Sequence, residues 1–136
     1  MMSSGIDRSP FRRGVSWRRG GDLFHGDIDE IWSQGRATYG GLVAAGALGA
    51  MQAVVEPTRA VRNLLVNYVA PVEPGAVTCR VELLRTGKAA TQLLARVEQR
   101  AAVCVVASGV FGETRSSSVQ VEARALPAMK IGRAHV

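Results

Sequence analysis

The stretch from Gln34 to Leu42 holds the residues best suited to bind a polarised oxygen. Tyr39, Gly40 and Gly41 stand immediately before a long apolar run that predicts a helix. The first amides of a helix have no partner inside it, and the helix dipole favours negative charge there. We predict a binding site at Tyr39, Gly40 and Gly41, to which Gln34 could add a polar contact. Tight packing of the loop against a sheet would explain the two glycines equally well.

A second set of candidates lies in the run Arg85-Thr86-Gly87-Lys88. Gly87 suits a short hairpin turn between two strands. The side chains of Arg85 and Lys88 are cationic, and cations of this kind attract phosphate groups. We therefore predict Arg85 and Lys88 as binding residues, with ordinary solvated turn charges as the alternative.

Other kinds of site have little support in the sequence. His25 is the only histidine of the first 130 residues, too few for a zinc site, and no GxGxxG or Walker pattern occurs. Cys79 and Cys104 lie in apolar runs, which predicts buried free thiols in a reducing, cytoplasmic compartment. We predict no metal, and we assign no catalytic acid or base. Four acids near the first strand are expected to be solvated: Asp22, Asp27, Asp29 and Glu30.

The elements that would position these residues begin with a helix. The run Leu42–Val55 is of helix length, contains no acid and is apolar on nearly every face, so it must be enclosed. Gly46 and Gly49 each weaken a helix by about 1 kcal/mol relative to alanine. Close approach of a neighbouring backbone would explain both glycines. Pro57 is expected to end the helix.

Strand patterns flank this helix on both sides. One strand is predicted before the helix, within 21–31, and four after it, at 61–69, 77–83, 91–98 and 101–111. The last of these is apolar on both faces, as is typical of a central strand covered on both sides. We expect the four later strands to form a meander. The whole predicts an α+β fold, with a curved antiparallel sheet wrapped around one central helix.

The net charge of +6 on 136 residues is confined to the two ends of the chain. The first 20 residues contain five arginines and one acid, whereas residues 21–112 contain eight basic and eight acidic groups. We expect 1–20 to be a poorly ordered basic arm. A neutral body argues against a nucleic-acid-binding domain, although the arm itself could touch phosphates. No apolar run reaches the roughly 18 to 20 residues of a membrane-spanning helix.

Four runs, in order, resemble the N-terminal hotdog of the TesB-like acyl-CoA thioesterases. They are Gln34–Val43, the aromatic-x-x-Pro strand end in Asn67–Pro71, the strand and turn Val81–Lys88, and the strand end Val110–Gly112. The resemblance covers 21–112 and implies the hotdog fold. One departure is the run Gln99-Arg100-Ala101-Ala102, which lacks the glycine usual in this turn. We expect a looser turn or altered strand pairing there.

The resemblance also implies a function and an organisation of the chain. It implies hydrolysis of acyl-CoA to a free acid and CoA, with water-activating residues in a second hotdog, so this chain alone is expected to be inactive. The expected partners are the acyl-CoA substrate and a second hotdog or a homodimer. CoA would enter only as part of the substrate, with its phosphates at Arg85 and Lys88. The alternatives are a non-catalytic acyl-CoA-binding hotdog and, least favoured, nucleic-acid binding through the arm.

The C-terminal end is expected to consist of two pieces. Residues 113–130 have the composition of a linker. Residues 131–136 match the translation of a common sequencing adapter, so we expect this tail to be non-native. On this hypothesis the native gene continues past Met129 into a second hotdog.

Overall fold

The computed structural model describes residues 9–130 and 132, and its elements follow one another in a simple order. The helices are α1 (Pro10–Val15) and α2 (Gly40–Gln52), with a 3-10 turn at Glu30–Trp32. The strands are β1 (Arg18–Gly20), β2 (Leu23–Ile28), β3 (Ser33–Gln34), β4 (Ala37–Thr38), β5 (Ala60–Tyr68), β6 (Gly75–Thr86), β7 (Ala90–Gln99) and β8 (Ala102–Gly112). The predicted α+β hotdog arrangement is confirmed, because α2 packs on β6, β7 and β8 of an antiparallel sheet.

Helix α2 is enclosed along its whole length, as its apolar composition predicts. Within α2, no residue before Gln52 is exposed, and Leu42, Ala47 and Met51 have no accessible surface. The helix begins two residues earlier than predicted, at Gly40, and ends at Gln52. Pro57 therefore does not end it. The last turn instead loosens into a segment where the amide of Val55 still donates to the carbonyl of Met51 over 3.2 Å.

The sheet has six strands in the order β1-β2-β6-β7-β8-β5, and every pair is antiparallel. The prediction of a four-strand meander is wrong for β5. This strand pairs with β8 at the far edge, while β2 pairs with β6. Alternation of side chains shows which strands pack on a core, but it does not show which strands are neighbours. The pairing of β5 and β8 joins residues that are 37 to 52 positions apart in the chain.

Strand β8 is central in the sheet, as predicted, but its two faces differ. Val105, Ala107 and Phe111 have no accessible surface and pack in the core with α2. On the opposite face Val106 and Val110 are half-buried. The prediction of cover on both faces is therefore confirmed for the inner face and only partly met on the outer one.

The N-terminal segment forms a helix and a strand within residues 9–20, where the sequence predicted a loose arm. Helix α1 packs against α2, and β1 extends the sheet beside β2. Trp17, only 9% exposed, belongs to the core, and its ring lies against Gly26 and Gly46, where a Cβ would overlap it. Burial of this aromatic ring holds the segment in place. Residues 1–8 lie outside the described part of the chain.

Close approach therefore explains Gly46, although the neighbour is the ring of Trp17 rather than a backbone. It does not explain Gly49. A Cβ at Gly49 would lie 3.6 Å from the carbonyl oxygen of Val15, an ordinary contact distance. The prediction that close approach explains both glycines is therefore wrong for Gly49.

The turn between β7 and β8 is tight rather than loose. Gln99 pairs directly with Ala102, so Arg100 and Ala101 form a two-residue connection, with φ of 52° and 61°. Two positive φ angles are what a type I′ hairpin turn requires. The expected irregularity is present, but it lies within the strands, as a register shift between Val97 and Glu98.

One buried cation ties together the opposite end of the sheet. The side chain of Arg59, 8% exposed, donates to the Thr91 hydroxyl over 2.7 Å. It also donates to the carbonyl oxygens of Gly87 and Lys88 over 2.9 and 3.0 Å, and to the Glu113 carboxylate over 3.3 Å. Arg59 thus links the start of β5, the β6–β7 turn and the segment that leaves β8.

The segment after β8 contains no helix or strand in its described part. All residues from 113 to 130 are exposed, including Val121 and Leu126, which are 88% and 86% exposed. Its role as a linker stays a prediction. The expectation of a non-native tail falls on residues 131–136, of which only Gly132 is described. In the part of the chain that the structure describes, no helix is long and apolar enough to cross a membrane.

Candidate functional site

The start of helix α2 is held by hydrogen bonds with three other segments. The amide of Tyr39 donates to the carbonyl of Trp32 over 2.7 Å, and the amide of Thr38 donates to the carbonyl of Val72 over 2.8 Å. The hydroxyl of Tyr68, at the end of β5, donates to the carbonyl oxygen of Gly40 over 2.8 Å. The first turn of the helix is thereby fixed against the sheet.

The two glycines of this first turn keep free amides. Tyr39 precedes the helix without capping it through its side chain. Among the described residues, no acceptor is found for the amides of Gly40 and Gly41. A Cβ at Gly40 would lie 3.0 Å from the ring of Tyr68, and one at Gly41 would lie 2.8 Å from the ring of Tyr39. Tight packing therefore accounts for the glycines, while their amides have no acceptor within the described residues.

A cavity of about 320 Å³ opens beside Gly40. Its lining is mostly apolar and comes from the β4–α2 connection, from α2 itself and from the segment after β5: Ala37, Thr38, Gly40, Val43, Tyr68, Val69, Ala70, Pro71 and Val72. An apolar chain that ends in a carbonyl group matches such a slot, since the chain would fill the cavity while helix amides bind the oxygen.

Thr38 stands out among the residues around this cavity. The residue is 6% exposed, and its hydroxyl oxygen is buried without a hydrogen-bond partner in the described part of the chain. Sequence reasoning did not identify Thr38. No sequence signal could have done so, because most buried hydroxyls find a partner and only the folded surroundings show that this one does not.

The matching family model is described as the acyl-CoA thioesterase N-terminal domain, and it matches residues 28–112. The chain belongs to this family. No curated protein matches the chain.

Solved structures agree with this thioesterase domain assignment at the level of the fold. A hotdog-fold protein of unknown function from Alicyclobacillus acidocaldarius has a TM-score of 0.76 and 26% identity, and the match covers 90% of this chain and 46% of that one. The acyl-CoA thioesterase II TesB2 of Mycobacterium marinum has a TM-score of 0.72 and 16% identity, with 87% and 44% covered. The chain therefore spans less than half the length of either protein.

Gln34 and the four acids predicted to be solvated lie on the surface. Gln34 is exposed on β3, which is separated from α2 along the chain by β4. Asp22, Asp27, Asp29 and Glu30 are all exposed, as predicted. Asp29 accepts a hydrogen bond from the amide of Ile31 over 3.0 Å and so caps the 3-10 turn. Binding by Gln34 stays a prediction.

Arg85 and Lys88 do not lie near the α2 start. They flank the β6–β7 turn, which Arg59 holds at the beginning of β5, whereas Gly40 bonds to Tyr68 at the end of that strand. The nine residues of β5 span roughly 26 Å at about 3.3 Å per residue. Within one copy of the domain, the two groups of predicted residues therefore lie at opposite ends of β5. Phosphate binding by Arg85 and Lys88 stays a prediction.

The two thiols of the domain are free and buried, as predicted. Burial raises the pKa of Cys79 to about 12, so this thiol stays protonated at neutral pH and is no nucleophile. Within the described residues, no three His, Cys, Asp or Glu side chains come close enough together to hold a metal ion.

Proposed function

We propose that this chain is the N-terminal hotdog half of an enzyme that hydrolyses acyl-CoA to a free acid and CoA. The observation that carries the proposal is the pair of amides without an acceptor in the described residues, at Gly40 and Gly41, where Gly40 lines an apolar cavity of about 320 Å³. The amides would stabilise the oxyanion that forms when water attacks the thioester carbonyl. The acyl chain would lie in the cavity.

Activation of the attacking water is assigned to a second hotdog. Helix α2 contains no Asp or Glu, and the acids around β2 are solvated at the surface. The short coverage of the similar structures supports a longer native protein. Sequencing the native gene past Met129 tests this part, and a genomic stop codon directly after Val136 would contradict it.

We further propose acyl-CoA, with a second hotdog or a second copy of the chain, as the partners, and the cytoplasm as the compartment. The exposed edge of β5 supports a protein partner, and the free buried thiols Cys79 and Cys104 suit a reducing environment. The solvated Arg85 and Lys88 remain available for the phosphates of CoA.

A thiol-release assay on the full-length protein tests the activity. We expect turnover of acyl-CoA substrates that differ in chain length. Ala70→Leu, which fills part of the cavity, should lower kcat/KM for the longer chains. Ala53→Leu, on an exposed surface, serves as the matched control and should leave kcat/KM unchanged.

The absence of an acid in α2 also favours a second candidate, an acyl-CoA-binding module without turnover. Tight binding of acyl-CoA by the full-length protein, with thiol release no faster than in the enzyme-free blank, would establish the module and overturn the hydrolase.

A further inference from the structure

We propose that the hydroxyl of Thr38 binds an oxygen atom of the acyl substrate and thereby helps to select it. The inference rests on the proposed function, because it assigns a substrate contact within the same site. No covalent step is involved. The substrate opens the lining around the hydroxyl, whose oxygen has almost no accessible surface in the free chain, and then accepts a hydrogen bond from it beside the amides of the α2 start.

The first support is the state of the hydroxyl in the folded chain. Its oxygen is buried and has no partner in the described residues, and such a group weakens a fold by losing its bonds to water. Thr91 provides the comparison. It is 1% exposed, and its hydroxyl accepts from Arg59 over 2.7 Å and lies 3.4 Å from the Glu56 carboxylate. This fold is able to satisfy a buried threonine, yet it leaves Thr38 unsatisfied.

The second support is the position of Thr38. It lines the same cavity as Gly40 and lies two residues before the free amides of the α2 start. The other lining residues are mostly apolar, for example Val43 and Pro71. A ligand that suits these surroundings has a hydrocarbon part and at least one oxygen, which is the chemistry of an acyl thioester.

The cavity of about 320 Å³ would take the carbonyl end of an acyl chain, and the second hotdog of the proposed enzyme would complete the site. Short acyl-CoA substrates therefore serve as the probes. The acceptor for Thr38 is either the thioester carbonyl oxygen or a hydroxyl or keto oxygen carried on the chain.

The variant Thr38→Val tests the inference, because valine keeps the shape of the side chain and has a methyl group in place of the hydroxyl. Without ligand, we expect Thr38→Val to raise the Tm of the chain by roughly 2 to 6 °C. The matched variant Thr91→Val should lower the Tm, because it removes a buried hydroxyl that accepts from Arg59 and donates to Glu56. A fall in the Tm of Thr38→Val like that of Thr91→Val would show that the hydroxyl has a structural role and would overturn the proposal.

The substrate arm uses the full-length protein with butyryl-CoA and 3-hydroxybutyryl-CoA. We expect Thr38→Val to lose about threefold to tenfold in kcat/KM, and Thr38→Ser to restore most of it. An equal loss on both substrates assigns the thioester oxygen, and a loss on the hydroxylated substrate alone assigns the chain oxygen. Unchanged kcat/KM on both overturns the inference while the hydrolase stands.

Binding separates this inference from the proposed function. Wild-type protein that binds butyryl-CoA in calorimetry without thiol release would overturn the hydrolase alone. In that case the Kd of Thr38→Val decides the inference. A Kd raised about threefold to tenfold supports the contact. An unchanged Kd for both butyryl-CoA and 3-hydroxybutyryl-CoA overturns the inference.

Discussion

Two residues at the β7–β8 turn adopt a backbone conformation that their side chains disfavour. Arg100 and Ala101 have φ of 52° and 61°, and a non-glycine residue in this region costs about 1 to 2 kcal/mol. Neighbouring contacts hold the turn in place. Arg100 forms an ion pair with Glu73 at 2.6 Å, and the side chain of Gln99 bonds to both the amide and the carbonyl of Glu73. A local polar network thus surrounds the strained turn.

Replacing the second turn residue should relieve this strain. We expect Ala101→Gly to raise the free energy of unfolding by about 1 kcal/mol, since glycine adopts positive φ freely. The control is Ala102→Gly, one residue later in β8, which should lower it by about 0.5 to 1 kcal/mol. Urea unfolding of the two variants gives both values. Destabilisation by both substitutions would contradict the assignment of strain to Ala101.

At the scale of elements, helix α2 is enclosed by the sheet on one side and by the N-terminal segment on the other. The core includes Trp17 together with residues of β6, β7 and β8. Trp17 is fixed by a hydrogen bond from its indole nitrogen to the carbonyl of Gly14 over 2.9 Å. The short helix α1 thus completes the cover of an otherwise very apolar helix.

The two helix glycines should respond in opposite directions to alanine. We expect Gly46→Ala to lower the free energy of unfolding by about 2 kcal/mol, because its Cβ would overlap the ring of Trp17. Gly49→Ala should raise it by about 1 kcal/mol through better helix propensity, since a Cβ there meets only an ordinary contact. Thermal or urea unfolding distinguishes the two. Equal effects at both positions would refute the packing of Trp17 described above.

At the scale of the whole molecule, the sheet ends in an edge strand, β5, with large apolar side chains at the surface. Leu65 is 57% exposed, and Tyr68 and Val69 are 56% and 61% exposed. Within the described residues, β5 has a strand neighbour only on its β8 side. An exposed apolar edge of this kind favours pairing with another strand.

We therefore expect this 136-residue chain to self-associate in sedimentation velocity. Leu65→Lys should shift the distribution towards monomer, because a charge would have to be buried at the paired edge. Leu126→Lys, in the exposed segment after β8, provides the control and should leave the distribution unchanged. A wild-type chain that sediments as monomer at every concentration would rule out this use of β5.

Local patterns in the sequence determined the elements of this protein. Apolar character on every face predicted α2 within two or three residues of its ends, and alternation predicted β6 and β7, because both signals depend on neighbouring residues alone. The two glycines indicated where a helix would start with free amides, since that property belongs to any helix start.

Only the tertiary structure decided what depends on distant contacts. It placed β5 beside β8, put Trp17 into the core, and separated Arg85 and Lys88 from the α2 start by the length of β5. Within the described part of the chain, it also left the Thr38 hydroxyl without a partner. Whether a buried group is satisfied depends on which atoms surround it after folding, and no spacing along the chain encodes that.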